Sequence, residues 1–421
     1  MEALYACFDE HVGICSDSRS IESGQIFFAL KGERFDGHAF AAEALTHGAT
    51  AVVIEDAVPG LSDDHPQVFR VASVLTTLQA LARHHRRQWG KPLIALTGSN
   101  GKTTVKELFA SVLGECFHVH ATRGNLNNHL GVPFTLLQLR AEHDLAVIEM
   151  GANHQGEIDA LCRIAEPTLG YITNFGRAHL EGFGGIEGVI RGKTEMYRYL
   201  LEFGGERLIN PEDALQVHHA GPGAIPFLPD LNTWMDSNGF VHIERGETQI
   251  QSHLSGEFQG ANLQAAWSLG AYFGLSSEAI CTGISAYVPK NNRGELRVTP
   301  KNLVFLDAYN ANPSSMEVSF RYALGIYPDR VHYYMAGDLF EMGEYTAEEH
   351  QRMVDLFVEL GAEHVWLIGE AFSATQHPGH YRSFSRTEEA LQALHAEALS
   401  SAFVWIKGSR GMALEQLLPA L

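Results

Sequence analysis

The chain of 421 residues carries 30 Lys and Arg against 50 Asp and Glu, a formal net charge of −20, with 45% hydrophobic and 19% charged residues. That composition excludes global disorder, and the length exceeds the roughly 100–200 residues of a typical single domain. The acidic balance argues against a nonspecific nucleic-acid binder, whose phosphate contacts need a basic excess, but not against an anionic small molecule held by a local nest of N–H groups.

Residues 1–88 open with a Ser/Asp/Gly-rich stretch. The apolar runs Ile26–Leu30 and Ala51–Glu55 then predict strands beside an alanine-rich helix near Ala39–Leu45. Leu78–Trp89 reads as a helix leading out, ended by Gly90-Lys91-Pro92. The second region, 89–292, starts with Leu93–Gly98, a buried strand running into a glycine turn and the helix VKELFASVLGEC. Asp144–Met150 and Leu169–Phe175 are further apolar runs between helical stretches, the pattern of a mostly parallel sheet. The third region, 293–421, alternates again: NLVFLDAY, a helix after Pro313, RVHYYMAGD, a helix from Ala347, HVWLIGE, then FVWIKGS with a closing helix. The fold class is α/β in three domains.

Five scattered cysteines (Cys7, Cys15, Cys116, Cys162 and Cys281) form no CxxC pair, which predicts a reducing compartment. The start has no apolar signal core, and no apolar run approaches the roughly 20 residues of a membrane helix. A cytoplasmic protein without membrane contact is expected.

The sharpest local signal is Thr97-Gly98-Ser99-Asn100-Gly101-Lys102-Thr103-Thr104, between a strand and a helix. Gly98 and Gly101 let backbone N–H groups converge on a phosphate, Lys102 can reach the terminal phosphates, and the Thr103 hydroxyl can ligate Mg²⁺. Leu96 stands where the full phosphate-loop pattern has its first glycine, so a plain glycine turn with a solvated lysine is the competing reading. Glu149 ends a strand, where a carboxylate can hold Mg²⁺ or simply cap the chain. His179 follows the strand YITNF but is one of 22 histidines, and Lys193 by itself reads as a solvated helix charge. The asparagine-rich stretches Thr122–Asn128 and Asp307–Pro313 suit either a binding loop or a turn. Lys407-Gly408-Ser409-Arg410-Gly411, again after a strand, suits an anion site or a solvated turn.

Together these motifs resemble the Mur ligases, ATP-dependent amide-forming enzymes of peptidoglycan precursor synthesis. TGSNGKTT matches that family's shortened phosphate loop, shared with folylpolyglutamate synthases. DSRSIESGQIFFALKGERFDGHAF, TRGNLNNHLGVP, DAYNANPSSM, GDLFEMGE and KGSRGM are similar to the branch that joins D-alanyl-D-alanine to UDP-N-acetylmuramoyl-tripeptide. The DNPR pattern of the branch adding a diamino acid is missing. The resemblance implies a small α/β UDP-binding domain, a central P-loop ATPase and a C-terminal Rossmann-like domain. It implies ATP contacts at Gly98, Asn100, Gly101, Lys102, Thr103, Thr104, Asn262, Arg293 and Asp307. It implies two Mg²⁺ sites using Thr103, Glu149, His179 and a carbamylated Lys193; Lys102, Glu149, His179 and Lys193 form its catalytic set. Ser18 and Arg19 would approach the UDP group, and Thr122, Asn125, Asn127 and Asn128 the muramoyl-peptide. UDP-N-acetylmuramoyl-tripeptide and D-alanyl-D-alanine are the implied partners of a monomer.

Two departures stand out. The usual H-N-x-x-N of the adenine site reads Phe258-Gln259-Gly260-Ala261-Asn262, and of the paired aspartates before Y-N-A-N only Asp307 remains. A ligase with another acceptor, a P-loop kinase or switch, and a non-catalytic nucleotide-binding protein are the competing functions.

Overall fold

The computed structural model describes residues 1–32, 35–62, 64–290 and 292–421. A four-stranded parallel sheet comes first, ordered Ile14–Cys15, Ile26–Phe28, Ala51–Ile54, Val68–Arg70. Alternate strand residues face opposite ways. Phe27, Val52 and Ile54 form one core, while Ile26, Phe28 and Val53 join a larger one that continues into the central region.

The helix Val74–Trp89 starts at Ser73, whose hydroxyl accepts from Thr76 N, and stops at Gly90 in the left-handed region at φ 65°. Its sequence predicts a passage out of the first region, and its buried face docks on the second. Arg86 Nε donates to Ala165 O at 3.0 Å, and Trp89 Nε1 to Arg140 O at 3.0 Å.

The central sheet has six parallel strands, ordered Ile225–Pro226, Glu206–Ile209, Leu169–Ile172, Leu93–Thr97, Leu145–Glu149, Val119–Ala121. Leu93–Thr97 lies between Leu169–Ile172 and Leu145–Glu149. Strands are thus laid down on both sides of it, which opens a ligand crevice at their carboxyl ends. Helix Lys102–Gly114 packs on this sheet together with Gly260–Tyr272 and Ser277–Ala286. That contact is close: a Cβ on Gly283 would lie 2.5 Å from Val112 Cα. An antiparallel sheet of Asn232–Met235, Phe240–Arg245 and Thr248–Ser255 intervenes; it was not among the predicted elements.

The C-terminal sheet is ordered Glu295–Val298, Leu303–Asp307, Ala402–Lys407, Val331–Gly337, His364–Ile368, Arg382–Phe384, with only the first strand antiparallel. Helices Pro313–Gly325 and Thr346–Glu359 match the expected positions. The expected closing helix is replaced by two 3-10 segments, Arg410–Met412 and Leu414–Ala420. Pro419 has no N–H to continue an α-helix, and burial of Leu414 and Leu417 ties the segment down.

Candidate active site

The glycine loop is shaped by what lies behind it. Gly98 sits at φ 141°, and a Cβ there would fall 1.9 Å from Thr173 Oγ1. Gly101, at φ 79°, precedes helix Lys102–Gly114, whose free N–H groups and dipole favour an anion. The loop hangs from the end of the neighbouring strand. Asn100 N donates to Asn174 Oδ1 at 3.0 Å, Thr173 Oγ1 donates to Asn100 O at 2.5 Å, and Ser99 Oγ donates to Gly176 O at 2.9 Å. Sequence reading had no role for Thr173, Asn174 or Ser99.

Lys102 is folded onto its own loop, its Nζ donating to Gly98 O at 2.8 Å and Ser99 O at 3.3 Å. Burial lowers its pKa; Glu149 opposes that and Arg293 adds to it. Thr103 Oγ1 donates to Glu149 Oε2 at 3.0 Å, and Asn127 Nδ2 to Glu149 Oε1 at 2.7 Å. The backbone of Glu149 is fixed too, its N–H donating to Thr122 Oγ1 at 3.0 Å. One carboxylate therefore joins the phosphate loop to the asparagine-rich segment. Thr122 is buried behind this contact, its carbonyl accepting from buried Lys106 Nζ at 2.6 Å, whereas Asn125, Asn127 and Asn128 line the open space.

Lys193 ends helix Ile186–Lys193 and is 1% exposed. Its Nζ lies 3.3 Å from Ala152 O and 5.0 Å from the centre of the Phe183 ring. Burial, then the charge of Lys102, pushes its pKa well below the ordinary lysine value, against the pull of Glu157 and Glu195. The solvated charge suggested by the local sequence is thus a buried amine whose burial works against its charged form. His179 has a left-handed backbone at φ 52° and its Nδ1 pairs with the Glu341 carboxylate of the third region.

The third region supplies the opposite wall. The Arg293 guanidinium lies 3.5 Å over the Tyr309 ring, a cation–π stack that holds it at the opening. Asp307 pairs with Lys407, which is 2% exposed. Asn312 Nδ2 donates to Asn100 Oδ1 at 2.7 Å, so the third region touches the phosphate loop directly. Arg177, two residues before His179, pairs with the buried Glu349 carboxylate, and its N–H donates to Ser314 Oγ at 2.8 Å. At the position expected to read adenine, Asn262 Nδ2 donates to Gln259 Oε1 at 2.6 Å. The substituted Gln259 therefore orients Asn262, which also lies against Gly101.

A single cavity of about 1100 Å³ gathers Asn100, Gly101, Lys102, Thr103, Thr104, Glu149, His179, Asn262, Arg293 and Asp307, with the three asparagines. Lys193 lies beneath its surface, and Ser18 and Arg19 do not line it. They form a 3-10 turn in the first region, where Arg19 Nε donates to Asp17 Oδ1 at 2.8 Å. Among the described residues no three His, Cys, Asp or Glu side chains converge on a point that could hold an ion unaided.

Three family models match the chain: "Mur ligase family, catalytic domain" over residues 10–86, "Mur ligase middle domain" over 96–223, and "Mur ligase, glutamate ligase domain" over 292–410. The chain is 33% identical over 425 residues to the UDP-N-acetylmuramoyl-tripeptide–D-alanyl-D-alanine ligase of Bacillus subtilis, covering 97% of this chain and 93% of that one. A crystal structure of MurF from Acinetobacter baumannii matches with a TM-score of 0.85 and 33% identity, over 96% of this chain and 92% of that one. MurF ligase from Thermotoga maritima in complex with ADP matches with a TM-score of 0.86 and 26% identity, over 98% and 97%.

Proposed function

The chain belongs to the Mur ligase family, and from that premise we infer that it is the ATP-dependent ligase that joins D-alanyl-D-alanine to UDP-N-acetylmuramoyl-tripeptide in peptidoglycan precursor synthesis. The observation that carries this reading is the shared cavity. The phosphate loop, Glu149, the third-region residues Arg293 and Asp307, and Asn125, Asn127 and Asn128 all open onto one space.

The chemistry runs in two steps. A peptide carboxylate oxygen bonds to the γ-phosphorus of ATP as the β–γ bridge breaks, giving an acyl phosphate and ADP. The amine of D-alanyl-D-alanine then attacks the acyl carbon, loses its proton, and phosphate leaves. Carboxylate and γ-phosphate repel each other, so the first step needs fixed positive charge and exclusion of water. Lys102, released from its loop carbonyls, and the N–H groups of Gly101–Thr103 supply that charge to the phosphates. Arg293 supplies it from the opposite wall.

The donor set suits Mg²⁺. The Thr103 hydroxyl and the Glu149 carboxylate are already 3.0 Å apart, and such ions usually take one or two carboxylates plus substrate phosphates. Bound there, Mg²⁺ would neutralise charge on the transferring phosphoryl group. His179 and Lys193 would serve a second ion. A neutral buried amine is the form that adds carbon dioxide, and the resulting carbamate would turn Lys193 into an oxygen donor. We read the chain as three domains, 1–88, 89–292 and 293–421, with Ser18 and Arg19 toward the UDP group, in a cytoplasmic monomer. No helix among the described residues is long and apolar enough to cross a membrane.

The test is phosphate release with UDP-N-acetylmuramoyl-tripeptide, ATP and Mg²⁺, offering D-alanyl-D-alanine, diaminopimelate, lysine or glutamate as acceptor. Release that depends on D-alanyl-D-alanine is expected. Turnover indifferent to any amine, or preference for another acceptor, would overturn the reading.

A further inference from the structure

A second cavity, of about 380 Å³, lies where the first region meets the central one. Gly13 and Gln25 line it from one side, and His120, Arg123, Arg140 and His143 from the other. Gly13 and Gln25 immediately precede the paired strands Ile14–Cys15 and Ile26–Phe28. The cavity is therefore at the opposite end of that sheet from the Ser18–Ser20 turn, and it shares no lining residue with the ligation cavity.

Its chemistry is one-sided. In a chain of net charge −20, this lining holds two guanidinium groups and two imidazoles and no carboxylate among the described residues. The nearest acid on the same turn, Glu142, stands outside, with its carboxylate 3.9 Å from Arg140. His143 Nδ1 accepts from Arg140 N at 3.0 Å, which leaves the Nε2–H of the neutral ring free to donate. His120 Nε2 donates to Thr135 O at 2.9 Å, and its ring centre lies 4.9 Å from that of His143. Burial and then the charges of His143, Arg123 and Arg140 lower the pKa of His120, while at His143 burial also lowers it and Glu142 opposes Arg140.

We propose that this interdomain cavity is an anion site for a phosphate or diphosphate group, held by Arg123, Arg140 and His143 and separate from the ligation site. Planar guanidinium groups match phosphate oxygens, and the described lining offers two of them with no carboxylate to compete. Arg123 directly follows Thr122, whose hydroxyl accepts from the Glu149 backbone. An occupant would thus bear on the segment that reaches into the ligation cavity while bridging the first two regions.

The test titrates the full chain calorimetrically with inorganic pyrophosphate, and separately with inorganic phosphate, at constant ionic strength. The ligation site is first saturated with UDP-N-acetylmuramoyl-tripeptide and a non-hydrolysable ATP analogue. One binding event is expected with at least one of the two anions, weakened about tenfold or more in R140Q and in R123Q. The two arginines sit on different segments, so a folding defect in one variant leaves the other informative, and melting curves identify it. Absence of binding to the unaltered chain would overturn the proposal. So would undiminished binding in folded R140Q and R123Q, or binding seen only in a parallel titration without the substrates, which would assign the anion to the ligation site.

Discussion

The two walls of the ligation cavity are built differently. The central wall has a local frame: strand Leu93–Thr97, glycine loop and helix Lys102–Gly114 follow one another without interruption, and Thr173, Asn174 and Gly176 hold the loop from behind. The wall from the third region is a tertiary product. Asn312 reaches Asn100 across 212 positions, and Arg177 reaches Glu349 across 172. The first wall carries the phosphate loop, whereas the second closes the space and completes it. The chemistry should therefore fail outright when the central wall is damaged, and weaken in proportion when the seam is loosened.

The largest effect is expected for K102A. Removing the cation we assign to the transferring phosphoryl group should lower D-alanyl-D-alanine-dependent phosphate release about a thousandfold, or ~4 kcal/mol of transition-state stabilisation. Near-normal turnover would break the comparison at its strongest point. K193M should follow at about a hundredfold in turnover, with ADP affinity within about twofold of the unaltered chain. Lys193 lies beneath the cavity beside Phe183 and Ala152, away from the loop carbonyls that hold Lys102. Equal loss of ADP binding would show that Lys193 supports the loop rather than the reaction.

The same contrast decides what could be read from the sequence. The inner strands of the three main sheets show as apolar runs because they are buried on both faces, whereas short, part-exposed edge strands such as Val68–Arg70, Val119–Ala121 and Arg382–Phe384 do not; the phosphate loop shows because glycine, lysine and threonine must be contiguous there. The sheet from Asn232 to Ser255 has no such run, because its partly exposed strands alternate a few apolar residues, such as Val241, Ile243 and Leu254, with polar ones such as His242, Glu244 and Gln251. Lys193 was misread locally, since its helix position suggests solvent and only tertiary packing buries it. The seam was illegible for the same reason. Nothing near Arg177 announces Glu349, and Asp307 gives no sign that Lys407 will neutralise it.

At the seam, R177A should lower kcat/KM about tenfold. Glu349 keeps its second partner, Arg352, whose Nε donates to it at 3.0 Å, so the fold should survive while the loop carrying His179 loses its anchor. R177K, which restores a cation, should recover part of the loss. A tenfold fall in R177A with no recovery in R177K would point to guanidinium geometry rather than charge.

The smallest effect, and the most discriminating, belongs to Asn312. Its side chain does two things: Oδ1 accepts from Ser315 N at 2.9 Å, capping helix Pro313–Gly325, and Nδ2 donates to Asn100 Oδ1 at 2.7 Å. N312A removes both and should cost about 1 kcal/mol of stability as well as activity. N312S keeps a capping oxygen but is too short to span the seam, so its melting temperature should stay close to that of the unaltered chain while kcat falls about threefold. If N312S is as active as the unaltered chain, the Asn100–Asn312 bond merely accompanies closure. If it loses activity without losing stability, the phosphate loop is held in its working shape by the third region, and the two walls differ in origin but act as one site.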